Sequence, residues 1–90
     1  MILTGDFNAG PGSAPYKALV GTLADSWLAL HPEAVEGSAH GFTGKAVTPR
    51  IDWILCSPQF APKEASIDRH QENGRFPSDH FPVSAVLAWR

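Results

Sequence analysis

Asp6 and Asn8 stand two apart in Gly5-Asp6-Phe7-Asn8, a spacing that lets both side chains point to one side of an extended chain. A carboxylate beside a carboxamide suits phosphate chemistry. The first handles a proton or a metal-bound water, and the second donates N–H to a phosphate oxygen. The same pair also suits an Asp/Asn turn whose side chains bond their own backbone. Asp52 lies within Arg50-Ile51-Asp52-Trp53-Ile54-Leu55, where a carboxylate among apolar neighbours is costly unless it has a partner. Arg50 offers a simple ion pair, and His80, in Ser78-Asp79-His80, offers more. A carboxylate that accepts from one imidazole nitrogen fixes the tautomer, and the other nitrogen is then free to meet a phosphate or donate a proton. Asp79 is a hard oxygen ligand of the kind a divalent cation takes. His40 is read either as a phosphate neighbour or as an exposed loop histidine. Arg69, His70 and Arg75 either edge the same mouth and attract an anion or are simply solvated.

These residues need elements to hold them. Met1-Ile2-Leu3 reads as a short buried strand stopped by Gly5, followed by a loop through Gly12 rich in Gly, Asp, Asn and Pro. Ser13 is a candidate N-cap with Pro15 in the first turn, where its missing N–H costs nothing. From Tyr16, the apolar residues Leu19, Val20 and Leu23 share one helical face. Asp25-Ser26 opens a second, shorter apolar segment, Trp27 to Leu30, ended by His31-Pro32. Residues 33–49 are punctuated by Gly37, Gly41, Gly44 and Pro49 and read as loop. Ile51 to Cys56 alternates faces between Pro49 and Pro58 and is a strand. Glu64 to Asp68 is a weaker strand. Val83 to Trp89 is the last, with Val83, Ala85, Leu87 and Trp89 on one face. The order β-α-β-β-β gives an α+β chain with too few strands to bury both sides of a sheet. Trp27, Trp53 and Trp89 lie on apolar faces and read as core.

Composition bounds the rest. The 90 residues are 43% hydrophobic and 18% charged, which is globular and within the size of a single domain over residues 1–90. A net charge of −2 excludes a strongly basic protein that coats nucleic acid by neutralising many phosphates. It leaves room for an enzyme that grips one phosphate at a time. Cys56 is the only cysteine, so there is no intrachain disulfide, and its place in an apolar run reads as a small buried hydrophobe. No apolar stretch reaches the roughly 18 residues of a membrane span, and no secretory signal opens the chain. A cytoplasmic, reduced compartment is the default expectation.

Gly5-Asp6-Phe7-Asn8-Ala9, Arg50-Ile51-Asp52-Trp53-Ile54-Leu55 and Ser78-Asp79-His80-Phe81-Pro82-Val83 resemble, in order, the three C-terminal motifs of the endonuclease/exonuclease/phosphatase family, which includes deoxyribonuclease-I-like nucleases. The resemblance runs from Leu3 to about Trp89. Pro11, Ser13, Tyr16, Asp25-Ser26-Trp27 and His40-Gly41-Phe42 also look like its small bacterial members. The resemblance implies that Asp6 is the catalytic aspartate that orients or deprotonates the attacking water or serves the leaving oxygen. It implies that Asn8 binds phosphate, that Asp52 buttresses the catalytic His80, and that Asp79, with Asp6, holds Mg²⁺ or Mn²⁺. His40 and His80 would join Asn8 in binding substrate. The implied fold is half of a four-layered α/β/β/α sandwich, one mostly antiparallel sheet with one or two helices on its outer face. The family's N-terminal half, with an asparagine motif, a metal-binding glutamate and a second histidine, has no counterpart here. Glu33, Glu36 and His31 lie downstream of the first motif and are not assigned its roles.

The reading is therefore a truncated domain acting as a divalent-metal-dependent phosphoesterase on a phosphodiester or phosphomonoester, nucleic acid included. Self-assembly would complete the site. A twofold homodimer is expected, packing sheet on sheet through Ile51, Trp53, Leu55, Val83, Ala85 and Leu87. The alternatives are a non-catalytic half-domain that keeps the fold and the site residues, and a module completing a site on a separate chain.

Overall fold

A computed structural model describes residues 1–32 and 36–90, so Glu33 lies outside the described residues. The chain runs β1 (Ile2–Asp6), α1 (Ala14–Val20), β2 (Ala24–Asp25), α2 (Ser26–Leu30), β3 (Asp52–Cys56), β4 (Phe60–Ile67) and β5 (Val83–Trp89). It is an α+β arrangement of antiparallel strands with two helices, as the sequence implied. The strands fall into two hydrogen-bonded groups, β1-β3-β2 and β4-β5, where one sheet was expected. No helix among the described residues is long and apolar enough to cross a membrane.

The β1–β3 register decides where the chemistry goes. Asp6 pairs with Asp52, Thr4 with Ile54 and Ile2 with Cys56, while Gly5 pairs with Trp53 and Leu3 with Leu55. Directly opposed residues in an antiparallel ladder share a face, so the two aspartates stand on one side with Thr4, Ile54, Ile2 and Cys56, and Leu3, Trp53 and Leu55 on the other. Tyr16 and Leu23 close over Trp53 and Leu55, with Leu3, Phe7, Leu19 and Val20 packed around them. Phe7 stacks on Trp53 at 4.3 Å and Tyr16 meets the same indole edge-on at 5.0 Å. A second cluster joins Trp27, Ile67 and Phe81, with Ala65 and Val83 beside them.

This packing corrects several expectations. Trp53 and Leu55, expected on an uncovered face, are buried by the chain's own α1. The open face of β1 and β3 carries Ile2, Thr4 and Ile54 instead. The first strand continues through Gly5 to Asp6 and is largely exposed rather than buried. Trp89 is 74% exposed, with its ring against Phe60, so it is not core. Strand β4 begins at Phe60, four residues before the expected start, and carries a bulge between Pro62 and Glu64. Ser13 occupies the N-cap position of α1, but its hydroxyl donates to Gly10 O at 2.6 Å rather than capping the helix. Asp25 is a true cap: its carboxylate accepts from the amides of Trp27 and Leu28, which starts α2 where the sequence placed it.

Candidate active site

Three elements meet at one end of the β1–β3 ladder. Asp6 ends β1, Asp52 begins β3, and His80 sits on the loop leading into β5. His80 Nδ1 donates to Asp52 Oδ2 at 2.7 Å, and His80 Nε2 lies 3.8 Å from Asp6 Oδ2. These are the residues whose ligand atoms converge among the described residues, all within 4.8 Å of one another. They open onto a cleft of about 450 Å³ also lined by Thr4, Ile54 and Ser78.

The electrostatics follow from that geometry. The hydrogen bond to Asp52 raises the His80 pKa above the ordinary imidazole value, partial burial opposes the rise, and the charges of Asp52, Asp6 and Asp79 add to it. Because Nδ1 carries the proton shared with Asp52, Nε2 is the nitrogen left for chemistry. Asp6 plays two parts. Its Oδ1 accepts from the Asn8 amide at 3.0 Å, forming the Asx turn, and its Oδ2 faces the imidazole. That turn puts Asn8 in the left-handed region at φ 50°, a conformation asparagine tolerates well. The turn therefore leaves Oδ2 facing the imidazole.

Other sequence candidates are placed differently. Asn8 is exposed, and its carboxamide has no hydrogen-bond partner among the described residues. Asp79 is exposed and stands outside the convergent group, while its carbonyl accepts from the amides of His40 and Gly41. His40 is neither an exposed loop residue nor part of the convergent group. It is 4% exposed, stacked on Phe81 at 4.2 Å and beside Phe76. Its Nδ1 accepts from the Gly44 amide, and its Nε2 is buried without a partner among the described residues. Of the three residues expected at the mouth, Arg69 is paired with Glu36 at 2.7 Å, His70 lies 3.6 Å from Glu72, and Arg75 pairs with Glu72 through its backbone. His31 bonds the Ala65 carbonyl and stacks on Trp27. Cys56 is fully buried, and burial pushes its thiol pKa up.

Arg50 does not pair with the Asp52 carboxylate. It is buried, it bonds Asp25 through Nη2 at 2.5 Å, and its Nη1 donates to the Asp52 carbonyl at 3.0 Å. Tyr16 donates to the same Asp25 carboxylate at 2.9 Å, and burial is the first cause of the raised phenol pKa. Sequence reading missed this network and missed Ser38, which is fully buried beside Asp52. A carboxylate at Asp25 inside an apolar segment was the one signal pointing to it.

A divalent cation needs about six oxygen ligands if it is magnesium. Asp52 Oδ2 is committed to His80 and Asp6 Oδ1 to a backbone amide. Asp6 fits such a cation in donor type, and among the described residues the cleft offers the carboxylates of Asp6 and Asp52 toward that number.

The model of the Endonuclease/Exonuclease/phosphatase family matches residues 1–80. The chain belongs to that family. Among solved structures, an endonuclease/exonuclease/phosphatase family protein from Bacteroides thetaiotaomicron is 34% identical with a TM-score of 0.84, over 99% of this chain and 37% of that one. A mannosyl-6-phosphatase from B. thetaiotaomicron VPI-5482 is 34% identical with a TM-score of 0.79, over 98% and 37%. A functionally unknown conserved protein from Enterococcus faecalis V583 is 28% identical with a TM-score of 0.80, over 99% and 36%. A search of curated proteins found no significant match. The chain therefore spans little more than a third of each of these family structures, as expected for the C-terminal portion of a family domain.

Proposed function

We propose that this chain carries the histidine and aspartate part of a phosphoesterase active site and acts in the hydrolysis of phosphate esters. The observation that carries this reading is the His80 ring, held by Asp52 through Nδ1 and turned toward Asp6 through Nε2 in an open cleft. Protonated His80 donates from Nε2 to a non-bridging phosphoryl oxygen and offsets the charge that grows there. Asp6 Oδ2 accepts a proton from the water that attacks phosphorus, and as the ester P–O bond breaks the leaving oxygen takes a proton from solvent to depart as the alcohol. Asn8, two residues on and exposed, would donate to a second phosphoryl oxygen.

Divalent metal dependence is part of the proposal. Mg²⁺ or Mn²⁺ would supply charge neutralisation on the phosphoryl oxygens, with Asp6 and Asp79 as this chain's ligands and the remainder from further polypeptide, a second copy being the one expected. The shortage of free carboxylate oxygens also favours a second reading, a half-domain that keeps the fold without turnover. The mannosyl-6-phosphatase neighbour makes a sugar phosphate monoester one substrate class to try, beside a nucleic-acid phosphodiester. The test is hydrolysis of mannose 6-phosphate, p-nitrophenyl phosphate and bis-p-nitrophenyl phosphate with Mg²⁺, Mn²⁺ or EDTA. Metal-dependent release from one of them is expected. Absence of release from all three under every metal condition would favour the non-catalytic reading.

A further inference from the structure

We propose that Ser38 and Arg50 are positioning residues for the Asp52–His80 pair, standing in for a strand that β3 lacks beside Asp52. The register shows why a substitute is required. Phe7 N donates to Ile51 O across the β1 ladder, so along β3 the amide and carbonyl of Asp52 point away from β1. On that outer edge, β2 pairs only at Leu55 and Cys56. A buried backbone group without a partner is rare in folded proteins, so the groups of Asp52 must find donors and acceptors elsewhere.

They find them in two buried side chains. Ser38 Oγ accepts from the amides of Ile51 and Asp52, both at 3.2 Å, and Arg50 Nη1 donates to the Asp52 carbonyl at 3.0 Å. Ser38 is fully buried and Arg50 nearly so. Arg50 is itself fixed, because Asp25 holds its other Nη and is held in turn by Tyr16.

Ser38 also reaches the other partner. Its carbonyl accepts from the Phe81 amide at 2.6 Å, Ala39 bridges His80, and the amides of His40 and Gly41 bond the Asp79 carbonyl. Residues 38–41 thus hold the backbone on both sides of His80, while the Ser38 hydroxyl holds the backbone of Asp52. Ser38 therefore ties the backbone of Asp52 directly to the segment that holds His80. Arg50 fixes Asp52 from the same edge.

The inference rests on reading Asp52 and His80 as the reacting pair, and its test runs without substrate, so a chain that hydrolyses nothing still answers it. In NMR spectra of the full chain, the His80 Nδ1–H proton is assigned by its disappearance in Asp52→Ala. Its exchange with water should quicken about five- to tenfold in Ser38→Ala and in Arg50→Lys, the opening expected from one lost hydrogen bond, with circular dichroism unchanged. Ser38→Thr, which keeps a hydroxyl, should restore slow exchange. Ser26→Ala is the control. It removes a buried serine hydroxyl that donates to the Ile54 carbonyl, two residues along the same edge, and should leave the His80 proton as in the wild type. Unchanged exchange in Ser38→Ala and Arg50→Lys, or equal quickening in Ser26→Ala, would overturn the proposal. If the variants fail to fold, the wild type decides. The Ile51 and Asp52 amides should then exchange as slowly as those of Trp53 and Leu55, and fast exchange at Asp52 would overturn it.

Discussion

His80 presents its two nitrogens to different neighbours, and that division sets how its charge couples to folding. The Asp52 hydrogen bond raises its folded pKa above the unfolded value of about 6.5. A raised pKa means that the folded state binds the proton more tightly. The stabilisation is therefore fully present below about pH 6.5 and is lost as pH rises through the higher folded value. Urea titrations in EDTA should show wild type exceeding His80→Gln in stability at acidic pH, with the gap closing on the alkaline side. A gap that widened with pH would contradict the Asp52 contact. This pair was legible in the sequence, because a carboxylate among apolar strand residues demands a partner and the Asp-His loop supplied one. His40 was not. A histidine in Ser38-Ala39-His40-Gly41 gives no sign of whether aromatic rings such as Phe76 and Phe81 will close over it.

At the scale of elements, β3 is the member on which the site depends. Its extent was readable from the alternation between Pro49 and Pro58, and β5 from the alternation after Pro82. The early residues of β4 were not, because Pro62 lies within the strand beside the bulge, and an internal proline argues against a strand. The two residues of β2 are too short for any period to register. Which face α1 would cover was equally hidden, since both faces of β3 carry apolar residues and only tertiary packing chooses between them. The Asp25–Arg50 ion pair that braces β3 is buried on both sides, at 1% and 3% side-chain exposure. Removing one member of such a pair leaves an unpaired buried charge, so Arg50→Ala should cost about 3–5 kcal/mol in equilibrium unfolding. The double variant Arg50→Met, Asp25→Asn should recover part of that loss. A cost under about 1 kcal/mol for Arg50→Ala would mean that the pair does not brace the strand.

At the scale of the molecule, the chain spans 36–37% of its structural neighbours and leaves Ile2, Thr4 and Ile54 on an open face. The face is more polar than the one expected to pack sheet on sheet, because Trp53 and Leu55 are spent on the chain's own core. A second copy remains the expected partner of the 90-residue chain. Light scattering at low micromolar concentration should therefore give the mass of a dimer, and a well-folded monomer would contradict it. Whether the Asp6–Asp52–His80 cluster hydrolyses a phosphate ester is decided by comparing two proteins. Wild type and His80→Ala, purified side by side and shown to be folded, are assayed with Mn²⁺ on whichever ester the wild type cleaves fastest. Removal of a group that acts on the transferring phosphoryl should lower the rate by about 10²-fold or more, and EDTA should abolish it. Equal rates for the two proteins would contradict the account.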